Sequence, residues 1–246
     1  MAALRWAGLS DRGRVRERNE DRWSADPGLG LFIVSDGMGG RPAGDVASEV
    51  VVGALPTLVA HHFGVEPDLA APDAPQRLRT VLTELSADLR EGSQDTPRLA
   101  GMGATAVVAL VSQATALIAH VGDSRAYLLR AHSLHRLTRD HSLAQALIDA
   151  GAITDQQAAG HPARGQLTRH IGMVGDALPD ARRVDLQPAD RLLLCSDGLT
   201  GMLDDAWIQA ILNRSPDPQH ACRALTEAAN DAGGTDNITV LVIAPA

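Results

Sequence analysis

The sequence predicts an α+β layered domain, and three observations predict it. Residues 105–137 hold four short apolar runs, rich in β-branched side chains, at the spacing of a β-meander. Two pairs of segments with helical apolar patterning lie between groups of strand-like runs. No linker, internal repeat or low-complexity tail divides the 246 residues, which read as one domain over 1–246.

The elements follow in chain order. Residues 29–34 are an apolar run ending in Ser35-Asp36-Gly37, a buried strand entering a turn. Residues 43–63 are rich in Ala, Val and Leu without alternation and suit a helix despite Pro56, whereas 64–76 carry three prolines and read as a surface loop. Leu78, Val81, Leu82, Leu85 and Leu89 line one helical face within 77–90. The meander occupies 105–110, 115–121, 125–130 and 133–137. The nearly uncharged stretch 104–122 is about long enough to span a bilayer, but Ser112-Gln113 interrupts it, so two strands and a tight turn are predicted. Ser142 opens a helix over 143–150 with Gly151 as its stop, and 154–166 is polar and irregular. Residues 191–195 form another buried strand ending in Ser-Asp-Gly, 206–212 and 219–230 are helical, and 238–243 is a closing strand.

Composition excludes several chemistries. A net charge of -8 and only six aromatic residues argue against a nucleic-acid platform. All 22 basic residues are arginine, which rules out a Walker-type phosphate loop and lysine Schiff bases. Gly201 and Ala228 stand six residues after Cys195 and Cys222, so no Cys-x5-Arg phosphatase loop exists, and no Asp-x-Asp pair follows a strand. The N-terminus shows no signal peptide, and a soluble cytoplasmic protein with no membrane association is expected.

Four acidic motifs recur at predicted strand ends: Asn19-Glu20-Asp21, Ser35-Asp36-Gly37, Ser196-Asp197-Gly198 and Thr235-Asp236-Asn237. A single Asp-Gly is ordinary turn chemistry. Four of them on one sheet rim would converge carboxylates that repel unless a cation lies between them, and hard oxygen donors suit Mg²⁺ or Mn²⁺. Arg16, four residues before Glu20, supplies a planar guanidinium of the kind that clamps a phosphoryl group.

These motifs resemble the metal-dependent serine/threonine protein phosphatases of type 2C. The resemblance runs in order through Arg16-Glu17-Arg18-Asn19-Glu20-Asp21, Ser35-Asp36-Gly37-Met38-Gly39-Gly40, Gly101-Met102-Gly103-Ala104-Thr105 and His120-Val121-Gly122-Asp123-Ser124-Arg125. It continues through Leu137-Thr138-Arg139-Asp140-His141-Ser142, Leu167-Thr168-Arg169, Cys195-Ser196-Asp197-Gly198 and Gly233-Gly234-Thr235-Asp236-Asn237. It implies a four-layer αββα sandwich of two antiparallel sheets flanked by helix pairs. It further implies two core ions, Mn²⁺ or Mg²⁺, bridged by Asp36. Asp197 and Asp236 would hold one ion, the Gly37 carbonyl would contribute to the other, and Asp21 and Glu20 would act through waters, with Asn237 supporting them. Asp123 would share a third ion with Asp197, and Arg16 would hold the substrate phosphate. Residues 142–166 would be a mobile flap. The implied reaction is hydrolysis of phosphoserine and phosphothreonine in proteins by activated water, by a monomer opposing a bacterial serine/threonine kinase. Met38 stands where many eukaryotic relatives carry a histidine proposed as general acid, so that role has no residue here. His170 is one candidate, though a surface histidine is the simpler reading. Two rivals remain: a catalytically dead phosphoprotein-binding regulator, which loss of the aspartates would signal, and a metal-dependent nuclease, which the charge opposes.

Overall fold

Leu31 and Ile33 of one strand face a different core from their neighbours Phe32 and Val34. A strand buried on both faces needs a sheet on one side and helices on the other, and this demand sets the architecture. The structure is a computed structural model and describes residues 4–38, 43–64, 67–94, 99, 101–158 and 160–245.

The chain opens with strands β1 (Leu4–Asp11), β2 (Asp21–Asp26) and β3 (Leu31–Met38), then helices α1 (Ala43–Phe63) and α2 (Ala74–Gln94). Five strands follow: β4 (Gly103–Ala104), β5 (Ala106–Ser112), β6 (Thr115–Val121), β7 (Arg125–Arg130) and β8 (Ser133–Arg136). Helices α3 (Leu143–Asp149) and α4 (Asp155–Ala158) lead to strands β9 (Asp180–Asp185) and β10 (Arg191–Cys195). The chain closes with α5 (Asp197–Thr200), α6 (Asp205–Arg214), α7 (Pro218–Asp231) and β11 (Ile238–Pro245).

One sheet runs β1-β11-β10-β7-β8 and the other β2-β3-β5-β6-β9, with β4 beside β3, and all pairs are antiparallel. Phe32, Val107 and Ile118 meet Leu128, Leu194 and Leu241 between the sheets. Helix α1 buries Ala43, Ala47, Val51, Leu55, Val59 and Phe63, a stripe spaced every four residues, and α2 adds Leu78, Leu82 and Leu85 against the β3-β5-β6 face. Ile208 and Leu212 of α6 and Ala221, Cys222 and Leu225 of α7 cover the opposite sheet. The expected αββα sandwich is present.

Three local differences from the sequence reading carry meaning. The expected meander divides between the sheets: β5-β6 lies in one and β7-β8 in the other, joined by the crossing Gly122-Asp123-Ser124. Gly122 takes φ +104, a conformation that L side chains rarely adopt, and the crossing sets Asp123 on the rim. Strands β1, β2 and β9 were not expected, because their sequences lack a continuous apolar run: β9 buries only Val184. The loop expected over 64–76 ends early, with Pro75 inside the first turn of α2. Apolar α1 is long enough to cross a membrane, yet its stripe is packed on the sheet.

Candidate metal and phosphoryl site

The acidic motifs meet at one rim of the sandwich. Asp21 opens β2 directly opposite Asp36 near the end of β3. Even-numbered residues of β3 face the gap between the sheets, since Phe32 and Val34 do, so the Asp36 carboxylate continues that face beyond the apolar core. Asp197 begins α5 immediately after β10, and Asp236 stands two residues before β11, the neighbour of β10.

Close backbone approach makes this convergence possible. A Cβ on Gly198 would lie 1.9 Å from the Asn237 carbonyl oxygen, so glycine there lets the Asp197 and Asp236 segments touch. A Cβ on Gly37 would lie 1.9 Å from the Gly44 carbonyl oxygen, so glycine there lets α1 start against β3. Asn237 ties the Arg12–Glu20 loop to the rim: its Oδ1 accepts from the Glu20 N–H, and its Nδ2 donates to the Arg12 and Arg18 carbonyls. Glu20 meets the site through its backbone and through its carboxylate, which packs on Gly44 in the first turn of α1 next to the Gly37 carbonyl: a Cβ on Gly44 would lie 2.4 Å from Glu20 Oε2 and 3.0 Å from the Gly37 oxygen. Its carbonyl accepts from Gly37 N–H and from Ser48 Oγ.

The electrostatics identify a site built for positive charge. Asp21 and Asp123 are buried, while Asp36, Asp197 and Asp236 keep part of their surface open. Burial, reinforced by Asp197 and Asp236, pushes Asp21 up to about 7 despite hydrogen bonds from Ser196 and Thr239. Burial and then Asp21, Asp197, Asp123 and Asp236 push Asp36 well above the usual carboxylate range. Burial and then Asp197 do the same to Asp123, and burial and then Asp236 raise Asp197. Oδ1 of Asp21 and Oδ1 of Asp197 are buried with no hydrogen-bond partner. Orphaned acceptors among mutually repelling carboxylates are the condition that a divalent cation relieves.

Arg16 Nη2 donates to Asp236 Oδ2 at 2.7 Å with about half its side chain exposed. The Asp236 hydrogen bond raises its pKa, and the Asp236, Asp36 and Asp197 charges add to that. The guanidinium thus sits on the carboxylate rim facing solvent.

The sequence reading missed the hydroxyls that hold the aspartates. Ser196 Oγ donates to Asp21 Oδ2 at 2.7 Å, and Thr239 N–H donates back to Ser196 Oγ. Thr105 Oγ1 accepts from the Asp36 N–H and lies 2.7 Å from Ser124 Oγ. Ser196 adjoins Asp197 in the sequence, whereas Thr105 adjoins no acidic motif, and nothing in the sequence marks either as a support for an aspartate. Residues 142–166 close at their base through the Ser142–Leu167 bridge, with α4 where irregular chain was expected. Arg164 Nη2 donates to the Thr200 carbonyl, and its charge reaches Asp197. Gly39 and Gly40 lie outside the described residues.

His120, His141 and Asp180 also offer donor atoms within 4.8 Å of one another. The two imidazoles are stacked, however, 4.5 Å apart with planes 21° from parallel. A metal must lie in the plane of each ligating ring about 2 Å from nitrogen, and near-parallel stacked planes share no such point. His120 Nε2–H instead donates to the Arg139 carbonyl, and His141 Nδ1 accepts from Gly122 N–H while Nε2–H donates to Asp180.

Residues 12–231 match the family described as Protein phosphatase 2C. The chain belongs to the protein phosphatase 2C family. This phosphatase 2C chain is 38% identical to the serine/threonine phosphatase stp of Listeria monocytogenes over 237 residues, 95% of this chain and 93% of that protein. The structure of the S. agalactiae serine/threonine phosphatase superposes with a TM-score of 0.89 at 32% identity, covering 99% of this chain and 100% of that one. The catalytic domain of PstP in complex with two manganese ions superposes with a TM-score of 0.79 at 34% identity, covering 98% and 97%. Membership makes the protein a serine/threonine protein phosphatase of bacterial type.

Proposed function

We propose that the protein hydrolyses phosphoserine and phosphothreonine in proteins with two manganese or magnesium ions held by the rim aspartates. The observation that carries this reading is the convergence of Asp21, Asp36, Asp123, Asp197 and Asp236, two with orphaned buried oxygens, beside an exposed arginine. Asp36 would bridge the core ions, Asp197 and Asp236 would hold one, and the Gly37 carbonyl would serve the other. Asp21 and Glu20 would act through waters, and Asp123 with Asp197 would hold a third ion. The manganese in the related PstP domain supports the choice of metal. When bound, such ions acidify a shared water and neutralise phosphoryl oxygens.

The chain's own groups do the rest. Arg16 turns its fork from Asp236 to two phosphoryl oxygens and holds the phosphate in line. Ser196 and Thr105 fix Asp21 and the Asp36 backbone, so the carboxylates need little rearrangement as charge develops. The single domain carries residues 142–166 as a movable flap over a cavity of about 340 Å³ that reaches Arg125, Asp140 and Thr200. The protein works in the cytoplasm as a monomer and opposes a serine/threonine kinase.

The test is phosphate release from a phosphothreonine peptide after exhaustive chelation, then with Mn²⁺ restored. Activity is expected to vanish and return. Full turnover by protein with no measurable metal would overturn the two-metal reading.

A further inference from the structure

We propose that His170 is the catalytic proton donor to the departing serine or threonine oxygen, an inference that rests on the phosphatase reading above. Met38 pairs directly with Gly103, and Met38 lies two residues beyond Asp36 on β3. Residues two apart on a strand share a face, and directly opposed residues in an antiparallel pair share a face. Asp36, Met38 and the missing side chain of Gly103 therefore all look into the gap between the sheets. His170 fills the space at Gly103: a Cβ there would stand 2.5 Å from its Nδ1 and 2.9 Å from its Cε1. The imidazole thus lies on the carboxylate face, two strand residues, about 7 Å, along from Asp36.

The ring is held and aimed. Ile171 exchanges both backbone hydrogen bonds with Ala104, which fixes the segment against β4. His170 Nδ1 lies 3.1 Å from the Ile171 carbonyl oxygen, and a carbonyl only accepts, so Nδ1 carries the proton in the neutral ring. Nε2 is then the nitrogen that gains and gives a proton. The side chain is half-buried, so solvent can recharge it.

The chemistry requires such a group. A serine or threonine alkoxide is a poor leaving group and needs a proton as its bond breaks. Met38 has none to give, and an arginine does not release one. The attacking water gives one proton to solvent and its oxygen bonds to phosphorus, while the phosphorus–Oγ bond breaks and the Nε2 proton passes to Oγ. Serine or threonine departs as the neutral alcohol. The neutral imidazole takes a proton from solvent before the next turnover.

The experiment compares the parent enzyme, His170→Gln and Gly103→Ala, each with measured manganese content. Substrates are a phosphothreonine peptide and aryl phosphates of graded leaving-group acidity. kcat is expected to fall about a hundredfold on the peptide and less than threefold on nitrophenyl phosphate in both variants, with the loss growing as the leaving group becomes more basic. His170→Gln should also lose the alkaline limb of the peptide pH profile. Independently, nitrogen NMR of the metal-free protein should show neutral His170 as the Nδ1–H tautomer. Equal losses on all substrates, no loss on the peptide, or the Nε2–H tautomer would overturn the proposal. Absence of manganese-dependent release from every substrate in the parent enzyme would overturn the phosphatase reading with it.

Discussion

Arg16 is the one cation bound directly to the acidic rim among the described hydrogen bonds, and its partner is Asp236. A half-exposed contact of this kind is worth little in stability, so breaking it to take up a phosphate, as the proposed clamp requires, costs the fold little. Arg16→Ala is expected to raise KM for a phosphopeptide about tenfold with a smaller effect on kcat, because a phosphate contact made in ground and transition states is uniform binding. Arg16→Lys should recover only part of this, since lysine lacks the bidentate fork. Steady-state kinetics check both, and parent-like values for Arg16→Ala would move the clamp to another arginine. Asp36→Ala, in contrast, should lower kcat by several orders of magnitude, because every other rim aspartate is arranged around that carboxylate.

At the scale of elements, the site depends on two chain segments meeting where only glycine fits. Gly198→Ala places a Cβ 1.9 Å from the Asn237 carbonyl and must push α5 from the start of β11. Manganese affinity, read by calorimetry, is expected to fall more than tenfold, and the melting temperature of the metal-free protein should also fall. Retained affinity would show that Asp197 and Asp236 find each other without this contact. The same level explains what was legible. Strands with two apolar faces, such as β5, β6 and β10, announce themselves in sequence, and so do the α1 stripe and the Asp-Gly motifs that end strands. Edge strands β2 and β9 did not, because their pairing comes from neighbours far along the chain and not from their own side chains. The hydroxyl supports Ser196 and Thr105 were hidden for a related reason: only the fold turns a commonplace Ser or Thr toward an aspartate. His170 was visible as a residue, but its place beside Met38 needed the β3–β4 pairing.

For the whole molecule, two sets of buried titratable groups pull stability in opposite directions with pH. Without metal, the rim aspartates are raised, so their folded-state penalty grows as pH rises from the usual carboxylate range through about 7 and is relieved by acid. Bound metal removes that penalty at neutral pH, and saturating Mn²⁺ is expected to raise the melting temperature most above pH 7. His120 acts in the other sense. Burial, and then His141, lower it to about 4 from an unfolded value near 6.5. The folded state therefore favours the neutral ring. Its contribution is full above pH 6.5 and is lost as pH falls toward 4, a window worth about 3 kcal/mol. His141 is lowered too, by burial first, and it joins the Gly122 crossing to Asp180, so charging the stacked pair loosens the turn that carries Asp123. Denaturant unfolding of the parent and of His120→Gln, both metal-free, at pH 7 and pH 4 isolates this contribution, since the rim is common to both proteins. The stability difference between them is expected to shrink or reverse by about 3 kcal/mol between the two pH values. Parallel pH dependence would show that His120 titrates alike in the folded and unfolded chains.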